Sequence, residues 1–297
     1  MISFENVRKS YGRTDALRGL DLAVPDGSAF ALLGANGAGK TTLIRLAMNM
    51  IEPDAGTIRI LGVDSRKLGA EQLRRIGFVS ENLRLPNRLT VGEFLDYLRP
   101  LYPSWDRSLE SELLLQLDLP TNRKIGALSH GMRMKLQLAA ALPYRPKLLV
   151  LDEPLSGLDP LFRDEFIAGL LGQAEGVTIL MSSHELHEIE GLATHIAFLD
   201  RGRRVFQEPI EDLQARVREI QVILPAGASS PIPPPEHWLN MTSAGNVVSF
   251  VDTEFSEAGL ADRLAAHFGP LNAIEVFPIG LRPTFVTIAR SLRQKGI

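Results

Sequence analysis

The chain has 297 residues, a formal net charge of −3, 45% hydrophobic and 23% charged residues, and no cysteine. That length calls for one large domain plus a smaller one, and the composition is that of a globular protein with ample core. The lack of cysteine excludes disulfides, thiolate metal sites and cysteine nucleophiles, the near-neutral charge without a long Lys/Arg run argues against nucleic acid as a partner, and the absence of any apolar run of about 18 residues or of a signal-like N-terminus leaves any membrane to be spanned by another chain.

Residues 2 to 33 alternate apolar and polar positions around turn signals at Tyr11-Gly12 and Pro25-Asp26-Gly27, which predicts antiparallel strands. Taken by itself, Tyr11 reads as an aromatic packed on a sheet edge. Ala29 to Leu33 is an apolar run suited to a buried parallel strand, and the residues from Leu43 to Met48 continue as a helix. Between them lies Gly34-Ala35-Asn36-Gly37-Ala38-Gly39-Lys40-Thr41-Thr42, which fits the phosphate-binding pattern G-x-x-x-x-G-K-[ST] in its required strand–loop–helix setting. Glycines let backbone N–H groups turn onto phosphate oxygens, and the free amides at the start of the helix favour negative charge. Lys40 is then expected to reach the β- and γ-phosphates of a nucleoside triphosphate. Thr41 would place its hydroxyl on Mg²⁺, and Thr42 would bond a phosphate nearer the nucleoside.

Two short strands are expected at Gly56–Gly62 and Ile76–Ser80, with a helical turn at Glu71–Arg75 between them. From Thr90 the period becomes helical: Val91, Phe94, Leu95 and Leu98 share a face, and Leu109, Leu113, Leu114 and Leu117 repeat it after Tyr102-Pro103-Ser104. Consecutive helices predict a helical insertion, about 84 to 145, in an α/β core. A third helix, Arg133 to Ala141, comes after Leu128-Ser129-His130-Gly131-Met132, where Ser129 can cap it and Gly131 permits close backbone approach. Capping and anion binding both explain that start.

Lys147 to Leu151 reads as a buried strand ending in Asp152-Glu153. Asp152 can hold Mg²⁺ opposite Thr41 while Glu153 orients and deprotonates a water, and alternation along a strand end makes the two acids diverge. Ser156-Gly157-Leu158-Asp159-Pro160 turns into a helix, and Val177 to Met181 forms another strand ending at His184, whose imidazole can bond a γ-phosphate oxygen or the attacking water. His184-Glu185-Leu186-His187 has H-E-x-H spacing and fails the H-E-x-x-H zinc pattern. A hairpin is expected at Ile196–Asp200 and Arg204–Phe206. The proline-rich stretch from Leu224 to Pro235 has linker composition, which places a boundary near 220 between residues 1–219 and 220–297. The remainder reads as a strand (Val247–Val251), a helix (Ala258–Phe268), a strand (Ala273–Phe277) and a final strand or helix, a small α+β domain with no chemistry of its own.

Along residues 1 to about 218 these motifs, in this order, resemble the ATP-binding subunit of ABC transporters. The resemblance covers the phosphate loop Gly34 to Thr42, the Walker B strand and acids from Leu148 to Glu153, the D-loop Ser156 to Asp159, the switch histidine at His184 and a signature at Leu128–Met132. It implies an α/β fold of the P-loop NTPase type with an antiparallel layer and a helical subdomain. It reverses the reading of Tyr11, which falls where the family stacks adenine. ATP and Mg²⁺ are the implied ligands, bound between two copies of the chain, with Ser129 and Gly131 of one copy facing the γ-phosphate held by the other. Two departures stand out: His130 and Met132 replace the usual glycine and glutamine of the signature, and Glu81 occupies the Q-loop glutamine position beside the metal. The signature type and the C-terminal extension are most like bacterial ATPases that pair with separate ABC-2-type exporter permeases. An ATPase at the cytoplasmic side of the membrane, peripheral through its permease, is implied by that likeness. A soluble ABC ATPase of translation or DNA maintenance is the alternative, but such relatives carry two ATPase halves or long coiled coils. A non-hydrolysing ATP sensor has no need of Glu153.

Overall fold

The computed structural model describes residues 1–173, 176–225 and 233–294. The chain divides into two compact units, Met1–Gln207 and Glu208–Ile297. In chain order the first unit begins with β1 (Ile2–Tyr11), β2 (Thr14–Val24), β3 (Ala29–Leu33), α1 (Lys40–Ala47), β4 (Ala55–Ile60), β5 (Val63–Asp64), α2 (Ala70–Leu73) and β6 (Ile76–Ser80). It continues with α3 (Val91–Leu98), α4 (Arg107–Gln116), α5 (His130–Ala141), β7 (Leu148–Asp152), α6 (Pro160–Leu171), β8 (Thr178–Ser183), β9 (His195–Asp200) and β10 (Arg203–Pro209), whose last residues pass into the second unit. The second unit holds α7 (Ile210–Arg216), β11 (Arg218–Ile223), β12 (Trp238–Ala244), β13 (Val247–Asp252), α8 (Leu260–Phe268), β14 (Ala273–Pro278) and α9 (Leu281–Gln294).

The first sheet, β2-β1-β4-β5, is the expected antiparallel layer. Alternation along β2 sends Leu20, Leu22 and Val24 inward, where they share one core with Leu43, Ile44 and Leu46 of α1 and with Leu148 and Val150 of β7. The expected strand at Gly56–Gly62 stops at Ile60, because Leu61 and Gly62 both take positive φ and turn the chain into β5.

The second sheet has the order β10-β9-β3-β8-β7-β6, and its pairs β3–β8, β3–β9, β7–β8 and β6–β7 are parallel. Strand β7 is buried at every position, as a strand covered on both faces must be. Register aligns the strand ends: Leu32 of β3 pairs with Ser182 of β8, Ser182 with Asp152 of β7, and Asp152 with Ser80 of β6. The chain therefore leaves four neighbouring strands at one level, and the loops that begin with Leu33-Gly34, Ser183-His184, Glu153 and Glu81 emerge side by side.

The three helices expected between β6 and β7 are present. Thr90 and Glu93 close a reciprocal capping box, with Thr90 N donating to Glu93 Oε2 at 2.7 Å and Glu93 N to Thr90 Oγ1 at 3.2 Å. Val91, Leu95, Leu109, Leu113 and Leu117 are buried, so the leucine faces form core. Helix α5 starts at His130, earlier than the expected Arg133, because the Ser129 hydroxyl accepts from Met132 N at 3.2 Å. Among the described residues no helix is long and apolar enough to cross a membrane.

In the second unit the sheet order is β12-β13-β11-β14, all antiparallel, over a core of Trp238, Phe250, Leu264 and Phe268. Strand β11 is an inner strand of that sheet, and the division between units falls at 207/208, before the boundary expected near 220. Six residues of alternating Arg-Glu-Ile-Gln-Val-Ile beside a run of prolines carry too weak a local signal to be separated from a linker. Of the expected linker, residues 226–232 lie outside the described residues. The final element is the helix α9.

Candidate nucleotide site

The phosphate loop is shaped by its glycines. Gly39, the residue before α1, has φ 108°, and a Cβ there would stand 2.8 Å from both the Ala16 carbonyl oxygen and Leu17 Cδ2, so both conformation and space require glycine. Lys40 is 5% exposed, and its ammonium donates to the Gly34 carbonyl at 2.8 Å and the Ala35 carbonyl at 3.5 Å. Its third partner is Glu153 Oε1 at 3.1 Å. A buried ammonium held over the loop is a point charge aimed at the space above the free N–H groups of the α1 start.

Asp152 is 3% exposed, and its Oδ1 accepts from Thr41 Oγ1 at 3.1 Å and from Ser182 Oγ at 2.8 Å. Glu153 points elsewhere, to Lys40 and to His184 Nδ1 at 2.7 Å from Oε2. The divergence of the two acids was expected from strand alternation, but its cause is sharper: Glu153 has φ 51°, a left-handed conformation that costs a non-glycine residue roughly 1–3 kcal/mol. The Ser182 hydroxyl, 2.9 Å from Glu153 N, helps hold that turn. The hydrogen bond that His184 donates to Glu153 holds the imidazole above the ordinary histidine pKa; burial opposes it, and the Glu153, Glu188 and Glu185 charges add to it.

A cavity of about 520 Å³ gathers these groups, walled by Tyr11, Thr14, Asp15, Ala16, the loop from Asn36 to Thr42, Glu81, Glu153, Ser156 and His184. Tyr11 is 48% exposed and stands on this wall, with Lys9 Nζ over its ring at 5.8 Å from the centroid. Glu81 is exposed on the same wall, with its N–H donating to the Asp152 carbonyl at 3.2 Å. Thr14, Asp15, Ala16 and Ser182 escaped the reading of the sequence. Ser182 and Ser183, polar residues ending an otherwise apolar strand, were the available signal for the last of these.

Of the expected residues, Gly34, Ala35, Asp152, Ser129, Gly131 and Asp159 do not line this cavity. Ser129 caps α5, and Asp159 caps α6 by accepting from Phe162 N at 3.2 Å. Gly131 faces the Phe162 ring, where a Cβ would lie 2.7 Å from Cδ1. His130 Nε2 is 3.3 Å from the Ser156 carbonyl oxygen, which ties the α5 start to the loop after Glu153. Although the His184–His187 spacing fails the zinc pattern, Glu153, His184 and Glu188 bring ligand-type atoms within 4.8 Å of one another.

Comparison with known proteins names the family. The ABC transporter family matches residues 17–156. The chain is 33% identical to the daunorubicin resistance ATP-binding protein DrrA3 of Streptomyces coeruleorubidus over 92% of this chain and 88% of that one. It is 40% identical to the Nod factor export ATP-binding protein I of Burkholderia orbicola (strain AU 1054) over 69% of each. It also resembles the solved structure of a dimeric ATP-binding cassette in a post-hydrolysis state bound to ADP and Pi, with a TM-score of 0.63 and 25% identity over 71% of this chain and 99% of that one. The chain belongs to the ABC transporter family, as one of its ATP-binding, ATP-hydrolysing subunits.

Proposed function

We propose that two copies of this chain close on two ATP molecules and that hydrolysis drives a separate membrane permease in export. The observation that carries the reading is the register row Leu32, Ser182, Asp152 and Ser80, which sets the phosphate loop, His184, Glu153 and Glu81 around one cavity while Ser129 and Gly131 stay outside it. The α5 start is thereby free to serve the nucleotide of a partner copy. The dimeric cassette with ADP and Pi supports the sandwich, and the Nod factor export relative supports the direction. By the same analogy the chain works at the cytoplasmic side of the membrane, and residues 208–297 form an accessory unit.

Within the site, Tyr11 stacks the adenine and residues Gly34 to Thr42 wrap the phosphates. Lys40 exchanges its Glu153 partner for phosphate oxygens, which frees Glu153 to take a proton from the attacking water. His184 donates to the γ-phosphate. The hard oxygens of Thr41, Asp152 and Glu81 fit Mg²⁺, which when bound neutralises charge on the phosphates.

Glu153→Gln tests the reading, because the amide keeps size and hydrogen bonding but cannot accept the proton. Turnover should fall by about 10²–10⁴-fold while ATP binding persists, and the uncleaved nucleotide should hold a dimer visible by size-exclusion chromatography. Ser129→Arg in that background should return a monomer. Wild-type turnover in Glu153→Gln would remove the general base, and trapped ATP on a monomer would remove the sandwich.

A further inference from the structure

Glu188 is a buried carboxylate that the hydrolytic scheme leaves idle. It is 2% exposed, and its compensation is thin: it shares a hydrogen bond with the Ser183 hydroxyl, and the Arg163 guanidinium of α6 is 4.0 Å from Oε1, at the limit of an ion pair. A carboxylate buried here is compensated best by a cation placed beside it. His184 is that neighbour, within 4.8 Å, and Glu153 lies within the same distance of both.

The imidazole thus sits beside two carboxylates from different elements, Glu153 at the end of β7 and Glu188 in the turn after β8. We propose that Glu188 is a positioning residue that keeps His184 cationic and in place when Glu153 turns to the attacking water, a proposal that rests on reading Glu153 and His184 as the hydrolytic pair. The two acids are not equivalent. Glu153 Oε1 is engaged by Lys40 at 3.1 Å and must change partners once phosphates arrive, whereas Glu188 does not line the cavity and is held by Ser183 and Arg163. Without Glu188, the departure of Glu153 would leave His184 to lose its proton at the moment it must donate to the γ-phosphate. The other charged groups facing this cluster are Glu185, 3.7 Å from His184 Nε2, and His187, which pairs with Glu185 at 3.1 Å. Both are largely exposed and screened by water, so neither substitutes for a buried charge.

The test is an NMR titration of the His184 imidazole nitrogens in the full chain without ATP, beside kcat as a function of pH. In Glu153→Gln, which removes the nearer charge, the His184 midpoint should stay above that of free histidine because Glu188 still faces it. A midpoint at or below the free value overturns the proposal, and this arm needs no change at position 188. In Glu188→Gln the midpoint should drop, and the alkaline limb of kcat should move down with it while KM for MgATP stays within about twofold. Glu188→Asp should restore both. A Glu188→Gln protein that loses activity equally at every pH with an unmoved His184 midpoint would reduce Glu188 to a packing residue. Failure of the wild-type chain to hydrolyse ATP would instead strike the hydrolytic reading and leave the titration standing.

Discussion

Gly131→Ala probes the contact that seats the signature helix on the segment after Glu153. The new methyl carbon would meet Phe162 at 2.7 Å from Cδ1, 3.1 Å from Cγ and 3.2 Å from Cε1. Carbon atoms in contact rest at about 3.5–4.0 Å, so the ring must retreat by roughly 1 Å. It is poorly free to do so, because Lys135 lies over it with Nζ 4.1 Å from the centroid, and that lysine is itself 2% exposed and paired with Glu165. Overpacking of this kind costs about 1–3 kcal/mol. At about 2–4 °C per kcal/mol for a unit of this size, the melting temperature of the first unit should fall by about 2–12 °C in a calorimetric scan. Affinity for a fluorescent ATP analogue should change less than twofold, because Gly131 is not on the cavity wall, while turnover should drop as the α5 start shifts. Phe162→Leu removes the ring edge, so in the double variant part of the lost stability should return, a coupling that a cycle of the two changes measures directly. An unaltered melting temperature, or strict additivity of the two substitutions, would refute the contact as the reason for glycine.

Tyr11→Ala should weaken ATP binding by about 1 kcal/mol, roughly fivefold in Kd, with Phe tolerated; equal affinity for wild type and Ala by equilibrium titration would return Tyr11 to a packing role. Glu81→Ala should raise the Mg²⁺ concentration giving half-maximal hydrolysis, and an unshifted Mg²⁺ titration would turn that side chain away from the metal. In the second unit, burial lowers the pKa of His267, whose Nε2 has no partner beside Trp238. The unfolded chain therefore takes up a proton that the folded one refuses between the lowered folded value and the ordinary 6.5, so stability is complete above 6.5 and declines as pH falls through that window. Hydrogen-exchange protection in β11 and β13 should fall on acidification from pH 7.5 to about 5.5 in wild type and much less in His267→Phe. Equal acid sensitivity of the two proteins would assign the effect to other groups.

What the sequence determined alone is what can be specified by neighbours along the chain. The loop Gly34 to Thr42 is nine consecutive residues whose proposed phosphate role rests on glycine conformations, one ammonium and one helix start, so that reading needed no knowledge of the fold. The same holds for the Thr90–Glu93 box, the Ser129 cap and the leucine faces of α3 and α4, where i to i+3 and i+4 spacing carries the information. Glu81, Asp152, Glu153 and His184 were legible as residue types at strand ends, but their meeting depends on the order β3-β8-β7-β6 and a register set by contacts far apart in sequence. Only the tertiary structure could show that Glu153 takes a left-handed turn, that Lys40 and His184 share its carboxylate, and that Glu188 lies buried within 4.8 Å of the imidazole. Strand β11 makes the same point for the fold: its six residues become a strand because β13 and β14 supply hydrogen bonds on both edges, and those partners lie 24 or more residues further along the chain. A side chain's type is written locally, whereas its partners, and so its charge state and its work, are set by whatever the folded chain brings beside it.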